Sequence, residues 1–302
     1  MKFPLPLAAV LPACVLALSA CSSVAPLSTT TAASATVQEV RQLGEIVDLR
    51  SGQRLTAEQL LAQLAAAPRV IVGEQHDQLS HHRIEQWLLQ QLQGQRPQGS
   101  VLLEMLNPDQ QAKVDKVKPC LQTDPVVRPE HVAELLAWQP SWKWEQYGDL
   151  VMTAMRAPYP VWSANLDRSE IKQLFVDQPA VQGKHSNLAN DGKVHDKLKD
   201  IIRVMHDNQI DAPRLAAMLS VQQQRDRRMA ERLLAAPAPA VLIAGAYHAH
   251  KDLGVPLHVQ DLTGGPAPLV LVLAPQGATV LASQADFVWY TPVAAPAIAS
   301  AK

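Results

Sequence analysis

The chain has 302 residues, with 27 Lys and Arg against 28 Asp and Glu, a formal net charge of -1 and 47% apolar side chains. So even a balance leaves no electrostatic footprint for nucleic acid or an anionic membrane surface. Three cysteines in this length exclude a disulfide-stapled scaffold, and none of them sits in a Cys-x-x-Cys pair.

Residues 1–20 read as a secretory leader: Met1-Lys2 is basic, and the apolar run over 4–20 is too short to span a bilayer comfortably. The run closes on Leu18-Ser19-Ala20-Cys21, which resembles the bacterial lipobox, where the cysteine becomes the first mature residue and carries acyl chains such as palmitate. Several chains on one residue anchor stably where a single chain is marginal. Ser22, in place of Asp, resembles lipoproteins sorted to the outer membrane, so the body is expected to face the periplasm from a lipid on Cys21. Ordinary secretion is the alternative. Residues 21–40, rich in Ser, Thr and Ala, are expected to form a flexible tether, 41–292 one α/β domain and 293–302 a disordered tail. Cys14 leaves with the leader, and Cys120, after Lys118-Pro119, is expected as a loop thiol without a partner.

The domain opens with a small hairpin, 46–49 and 54–55, and Thr56 caps a helix to about residue 67 with leucines at 60, 61 and 64. Arg69-Val70-Ile71-Val72-Gly73 is a continuous apolar strand, the pattern of a sheet covered on both faces. A helix over 80–93 turns Ile84, Trp87, Leu88 and Leu92 inward; a buried strand at 100–106 and a polar helix after Asn107-Pro108 follow. The pattern continues with a helix over 144–157, a strand at 159–164, a helical insertion or lid over 171–209, a long helix at 212–235 and a strand at 240–245. Strands at 268–274 and 278–282 close it. Strands alternating with helices predict an α/β fold with a mostly parallel central sheet covered by helices.

In such sheets ligands sit beyond the carboxyl ends of strands. Three ends here are ionisable: Glu74 and His76 in Gly73-Glu74-Gln75-His76-Asp77, Glu104 in Leu103-Glu104-Met105, and His248 in Gly245-Ala246-Tyr247-His248. Buried carboxylates and histidines need partners, and each other or a metal are the simplest. Glu74 and His76 share a strand face if the strand continues to them. Blander assignments stand beside these. Asp77 caps the next helix; His81 and His82 lie on its solvated first turn, His81 near Glu85; a strand-end Glu makes a structural ion pair. Zinc would accept these ligand types, but the spacing matches no compact motif such as His-Glu-x-x-His. No Gly-x-Ser-x-Gly and no glycine-rich phosphate loop is present. Tyrosine is scarce, at four residues, and a phenolate suits ferric haem. Tyr247 adjoins His248. Tyr147, in Trp142-Lys143-Trp144-Glu145-Gln146-Tyr147, is on spacing alone a member of an aromatic packing cluster.

Together Gly73 to Asp77 with His81-His82, Leu103-Glu104-Met105, Gln223-Gln224-Arg225-Asp226-Arg227-Arg228-Met229-Ala230 (otherwise a solvated helix face), Ala244-Gly245-Ala246-Tyr247-His248 and Asp252 to His258 resemble the ChaN-like haem-binding lipoprotein family. The resemblance runs from about residue 46 to 292. It implies a lipid-anchored protein of iron acquisition, without catalysis, that holds haem between two copies of itself through a tyrosine, near an outer-membrane haem receptor. Tyr147 and Tyr247 are the candidate ligands, Tyr147 being the better match to the family's Trp-x-x-Tyr region, with Glu74, His76, Glu104 and His248 lining the pocket. The wider superfamily includes proteins resembling erythromycin esterases and Tiki/TraB metalloproteases. The same four residues therefore also support a metal-dependent hydrolase, and a purely structural cluster is the third reading.

Overall fold

The computed structural model describes residues 39–124 and 126–293. The leader, Cys21, nearly all of the tether and the tail beyond 293 lie outside them. Eight strands form one sheet in the order β2-β1-β8-β7-β3-β6-β4-β5. They are β1 Glu45–Asp48, β2 Gln53–Leu55, β3 Arg69–Glu74, β4 Ser100–Leu103, β5 Val161–Ser163, β6 Ala240–Gly245, β7 Leu269–Pro275 and β8 Phe287–Thr291. The six strands from β8 to β5 run parallel, and the β1–β2 hairpin adds an antiparallel edge through β8. This is the α/β architecture expected from the alternation of elements.

The central strands are buried on both faces, so their runs are apolar throughout rather than alternating. On one face the core comes from α1 (Ala57–Ala66), α2 (Leu79–Gln95) and α5 (Trp144–Arg156), with Leu60, Ile84, Leu88 and Leu150 against Val70, Val72 and Ile243. On the other, α8 (Ala212–Ala235) and α10 (Val255–Thr263) bring Met229, Leu233 and Val259 against Ile71, Leu102 and Val272. Local signals start these helices. Thr56 Oγ1 accepts from the Gln59 amide and Gln59 Oε1 accepts from the Thr56 amide, a reciprocal cap on α1. Asp211 caps α8 by accepting from the Arg214 amide.

The insertion contains α6 (Arg168–Asp177) and α7 (Gly192–Met205) and no strand. Its linking loop is pinned to α10 by Asp261, whose carboxylate accepts from Ser186 Oγ at 2.6 Å and from the Leu188 and Ala189 amides at 2.7 and 3.0 Å.

Two expectations are corrected. Residues 278–282 form no strand; the sheet takes Phe287–Thr291 instead, where three consecutive aromatic and branched side chains, Phe287, Val288 and Trp289, are fully buried. Cys120 is not on a loop but exposed on α3 (Gln111–Thr123), which continues through Pro119.

Candidate functional site

The carboxyl ends of β3, β6 and β4 are neighbours, and the residues just past them meet. Glu74, the last residue of β3, is buried. Its Oε1 accepts from Tyr147 Oη at 2.8 Å and from His76 Nδ1 at 2.5 Å, and its Oε2 accepts from His82 Nε2 at 3.3 Å. His76 lies beyond the strand's end; a turn of the chain, not strand pleating, brings it back to Glu74. Tyr147 Oη also stands 3.2 Å from His76 Nδ1. The Tyr147 ring is enclosed by His82, Trp142 and Trp138, at centroid distances of 4.1, 5.7 and 6.4 Å. Helix α5 therefore supplies the phenol that reaches the carboxylate, and the segment just before it supplies two of the enclosing rings, Trp138 and Trp142.

Two strands across, beyond β6, Glu104 Oε2 accepts from the Gly245 amide at 2.8 Å, and Oε1 lies 3.4 Å from His248 Nε2. His248 Nδ1 donates to Asp226 Oδ1 at 2.5 Å. Gly245 joins the two halves: a Cβ on it would stand 2.9 Å from the His76 ring and 3.7 Å from Glu104 Oε2.

Partners decide the charges here. Burial works against charge on Glu74, but the hydrogen bonds from His76 and His82 outweigh it and hold the carboxyl below its ordinary range. His76 is opposed by burial and raised by Glu74. Burial also opposes charge on Glu104, and His248 overcomes it, taking the carboxyl well down. His248 is pushed up to about 10 despite complete burial, because Glu104 and Asp226 flank it. Burial, only partly offset by His248, raises Asp226. Tyr147 is raised far above a free phenol by burial and by the Glu74 charge beside it.

Glu74, His76, Glu104, His248 and Tyr147 are thus brought together. Tyr247 is not. It is exposed on the short helix α9 (Ala246–Ala249), its ring against His250 at 5.8 Å. The Trp142-to-Tyr147 stretch does form an aromatic cluster, and it also delivers the phenol to the site.

Three other assignments are overturned. Asp77 does not cap α2: the cap position is Gln78, with no side-chain cap. His81 and His82 are buried, not solvated. His81 Nδ1 accepts from the Gln75 amide at 3.0 Å while Nε2 meets Thr291 Oγ1 at 3.1 Å, tying the loop that carries His76 to β8. Gln223, Asp226 and Arg227 are buried, so the 223–230 stretch is no solvated face.

Asp226 and His82 are the site residues that sequence reasoning missed. Spacing could have found both. Asp226 lies seven residues from both Leu219 and Leu233, on the buried stripe of α8; His82 lies three residues from Glu85 and seven from Leu89, on the buried stripe of α2. Glu85 is fully buried with neither oxygen partnered among the described residues, and burial pushes its carboxyl well up.

No three His, Cys, Asp or Glu side chains among the described residues are arranged to hold a metal ion. No helix among them is long and apolar enough to cross a membrane.

The fold and site define a class: a parallel α/β sheet whose strand ends carry a buried carboxylate–histidine–tyrosine cluster. Residues 60–259 match the family described as haem-binding uptake, Tiki superfamily, ChaN, and the chain belongs to that family. A similar solved structure is titled "Cofacial heme binding to ChaN of Campylobacter jejuni"; it is 27% identical, with a TM-score of 0.75 over 83% of this chain and 98% of that one. An erythromycin esterase mutant, EreC, in its open conformation is 13% identical over 83% of each chain, with a TM-score of 0.45. The type III effector HopBA1 is 13% identical over 78% of this chain and 92% of its own, at 0.42. No curated protein sequence matches. Haem binding in uptake is the family's function, and on that ground the chain is a binding protein and not a hydrolase.

Proposed function

We propose that the chain holds ferric haem non-covalently at this strand-end cluster, with Tyr147 as the iron ligand. The observation that carries this is the Tyr147 phenol, 2.8 Å from a buried carboxylate and 3.2 Å from an imidazole, at the mouth of the parallel strands. The residues fit the group. A phenol ligates iron only after losing its proton, and Glu74 Oε1 stands in place to take it. Bound haem would supply a Lewis-acidic iron that favours the phenolate form. Trp142 and the half-exposed His76, 4.8 Å apart between centroids and edge to face, stand beside the phenol. Glu104 and His248 brace the floor through Gly245. Among the described residues, Tyr247 has neither a carboxylate nor a site histidine on its hydroxyl.

Adding ferric haem to apo-protein should give a spectrum of tyrosinate-bound iron. Tyr147→Phe should remove its charge-transfer bands and Tyr247→Phe should leave them. A low-spin bis-histidine spectrum in the unmodified protein overturns the assignment.

We further propose a haem-linked homodimer. The Campylobacter jejuni structure is titled for cofacial binding. A flat apolar ligand open to water on one face loses about 25 cal/mol for each Å² left exposed, and pairing two across a two-fold axis hides both faces. Light scattering with and without haem tests this; a loaded protein that stays monomeric at high concentration rejects it. Residues 41–292 would form the binding domain, carried on a 21–40 tether from a lipid on Cys21 and facing the periplasm from the outer membrane, where the tether raises the binder's local concentration near a haem receptor. Cys21→Ala should release it from membranes.

A further inference from the structure

Helix α8 turns different residues to two neighbours. Gln222 and Asp226 meet His248, and Arg225 meets Asn165, so that face serves the strand-end cluster. The next face holds the insertion. Ser220 Oγ and Gln224 Nε2 donate to the Pro179 carbonyl at 3.2 and 3.0 Å, and Gln223 Nε2 donates to the Ala189 carbonyl at 2.6 Å. Arg227 continues this second face, one helical turn beyond Gln223.

Unlike its neighbours, Arg227 holds nothing. It is 6% exposed, and its Nε and Nη2 are buried without an acceptor among the described residues. Arg228 beside it pairs with Glu170 at 2.6 Å. Burial works against charge on Arg227, and the carboxylates of Glu231 and Asp261 offset this only in part. Neither bonds to it. Asp261 is taken up by Ser186 Oγ and the Leu188 and Ala189 amides, and Glu231 is exposed one turn further along α8. A buried guanidinium is costly unless something accepts its protons.

Arg227 lines a cavity of about 300 Å³ between α6 and α8. That volume is at the small end for ligand sites and is too small for a porphyrin. Leu166 and Leu174 give the cavity an apolar wall, and Gln173 and Gln224 add amides. Its charges balance: Arg227 and Arg228 stand against Glu170 and Glu231. The free guanidinium fork matches the two oxygens of a carboxylate. The leucines suit a short apolar tail, and the two glutamates disfavour a ligand with more than one negative charge. We propose that this cavity is a second ligand site, apart from the strand-end cluster, for a small monocarboxylate with a short apolar tail, anchored by Arg227. The proposal stands independently of haem binding.

The test titrates three probes into haem-free protein by isothermal calorimetry. 3-Methylbutanoate is the ligand, 3-methylbutanamide has its shape without its charge, and inorganic phosphate reports a general oxyanion site. The unmodified protein should bind 3-methylbutanoate saturably, and at least roughly tenfold more tightly than the amide or phosphate, the difference expected for one charged hydrogen-bonded contact. Arg227→Gln should weaken the acid by a similar factor. Circular dichroism should show that variant folded, since it removes a buried charge that has no partner. Leu174→Trp keeps the arginine but fills the cavity, and it should abolish binding of the acid; it carries the test if Arg227→Gln fails to fold. Four results each overturn the proposal: no binding of 3-methylbutanoate by the unmodified protein, equal binding of acid and amide, tighter binding of phosphate than of the acid, or undiminished binding of the acid in Arg227→Gln or Leu174→Trp.

Discussion

The two halves of the strand-end cluster use the same residue types to opposite ends. At β4 and β6 two carboxylates, Glu104 and Asp226, flank one imidazole, and all three side chains are almost wholly withdrawn from solvent. At β3 one carboxylate, Glu74, is shared by two imidazoles and a phenol, and His76 stands 43% exposed. The first half is closed to solvent: a full positive charge is held between two carboxylates already in place. The second half has more donors than acceptors and an open side. An arrangement of that kind can give up a proton and admit a ligand. His81 extends the lesson. It is as buried as His248, but it meets a backbone amide and a hydroxyl in place of carboxylates, and burial takes it down to about 4. Burial alone does not set an imidazole's charge; the number of carboxylates against it does.

The largest effect should come from breaking the closed half. Asp226→Ala or Glu104→Ala leaves a buried imidazolium with one partner gone, and stability should fall by about 3–5 kcal/mol in denaturant unfolding. A loss under about 1 kcal/mol in both would mean that His248 is neutral and that the contrast between the halves is misdrawn.

The contrast between His248 and His81 appears next, as two limbs of a pH–stability profile. His81 is held near 4 against 6.5 when unfolded, so the unfolded chain binds more protons between those values. Its contribution is whole above pH 6.5 and lost as pH falls through about 4, on the order of 3 kcal/mol in all. His248 is raised to about 10, so its contribution is whole below pH 6.5 and lost as pH rises through about 10. His81→Gln should flatten the acid limb and His248→Gln the alkaline one. Chemical denaturation from pH 4 to 10 measures both, and exchange of the two effects would refute the assignment.

The smallest effects separate packed from open surroundings within β3 and β6. A Cβ on Gly73 would lie 2.6 Å from the Ala249 Cβ and 3.1 Å from the Ala246 backbone, both in the helix packed on β3. Gly73→Ala should cost about 1–3 kcal/mol through overpacking. A Cβ on Gly245 meets the His76 ring, which has solvent to swing into. Gly245→Ala should cost less than Gly73→Ala in thermal unfolding while changing haem affinity more; a larger stability cost at Gly245 would show that His76 is locked.

Much of this protein is legible before folding. The buried strands announce themselves as unbroken apolar runs, and the Ala212–Ala235 helix and Ala240–Gly245 strand lie where their local patterns end them. Thr56 reads as a cap because its partner is three residues away. Glu74, His76, Glu104 and His248 are recognisable as charges placed where only apolar residues precede them. Local chemistry is written in local sequence, which is why those features can be read directly.

What the sequence left undecided depends on strand order. Glu74 meets Tyr147 across 73 residues because α5 packs over the end of β3, and Glu104 meets Gly245 across 141 because β6 lies beside β4. Tyr147 and Tyr247 are equal candidates by residue type; helix α5 turns one phenol onto Glu74, and α9 turns the other to solvent. Asp226 and His82 look like solvated charges within polar runs, and they become site residues because each helix rolls that stripe onto the sheet's carboxyl edge. A polar side chain is buried at a cost repaid only by a partner distant in sequence, so packing, and not composition, decided which of these charges belong to the site.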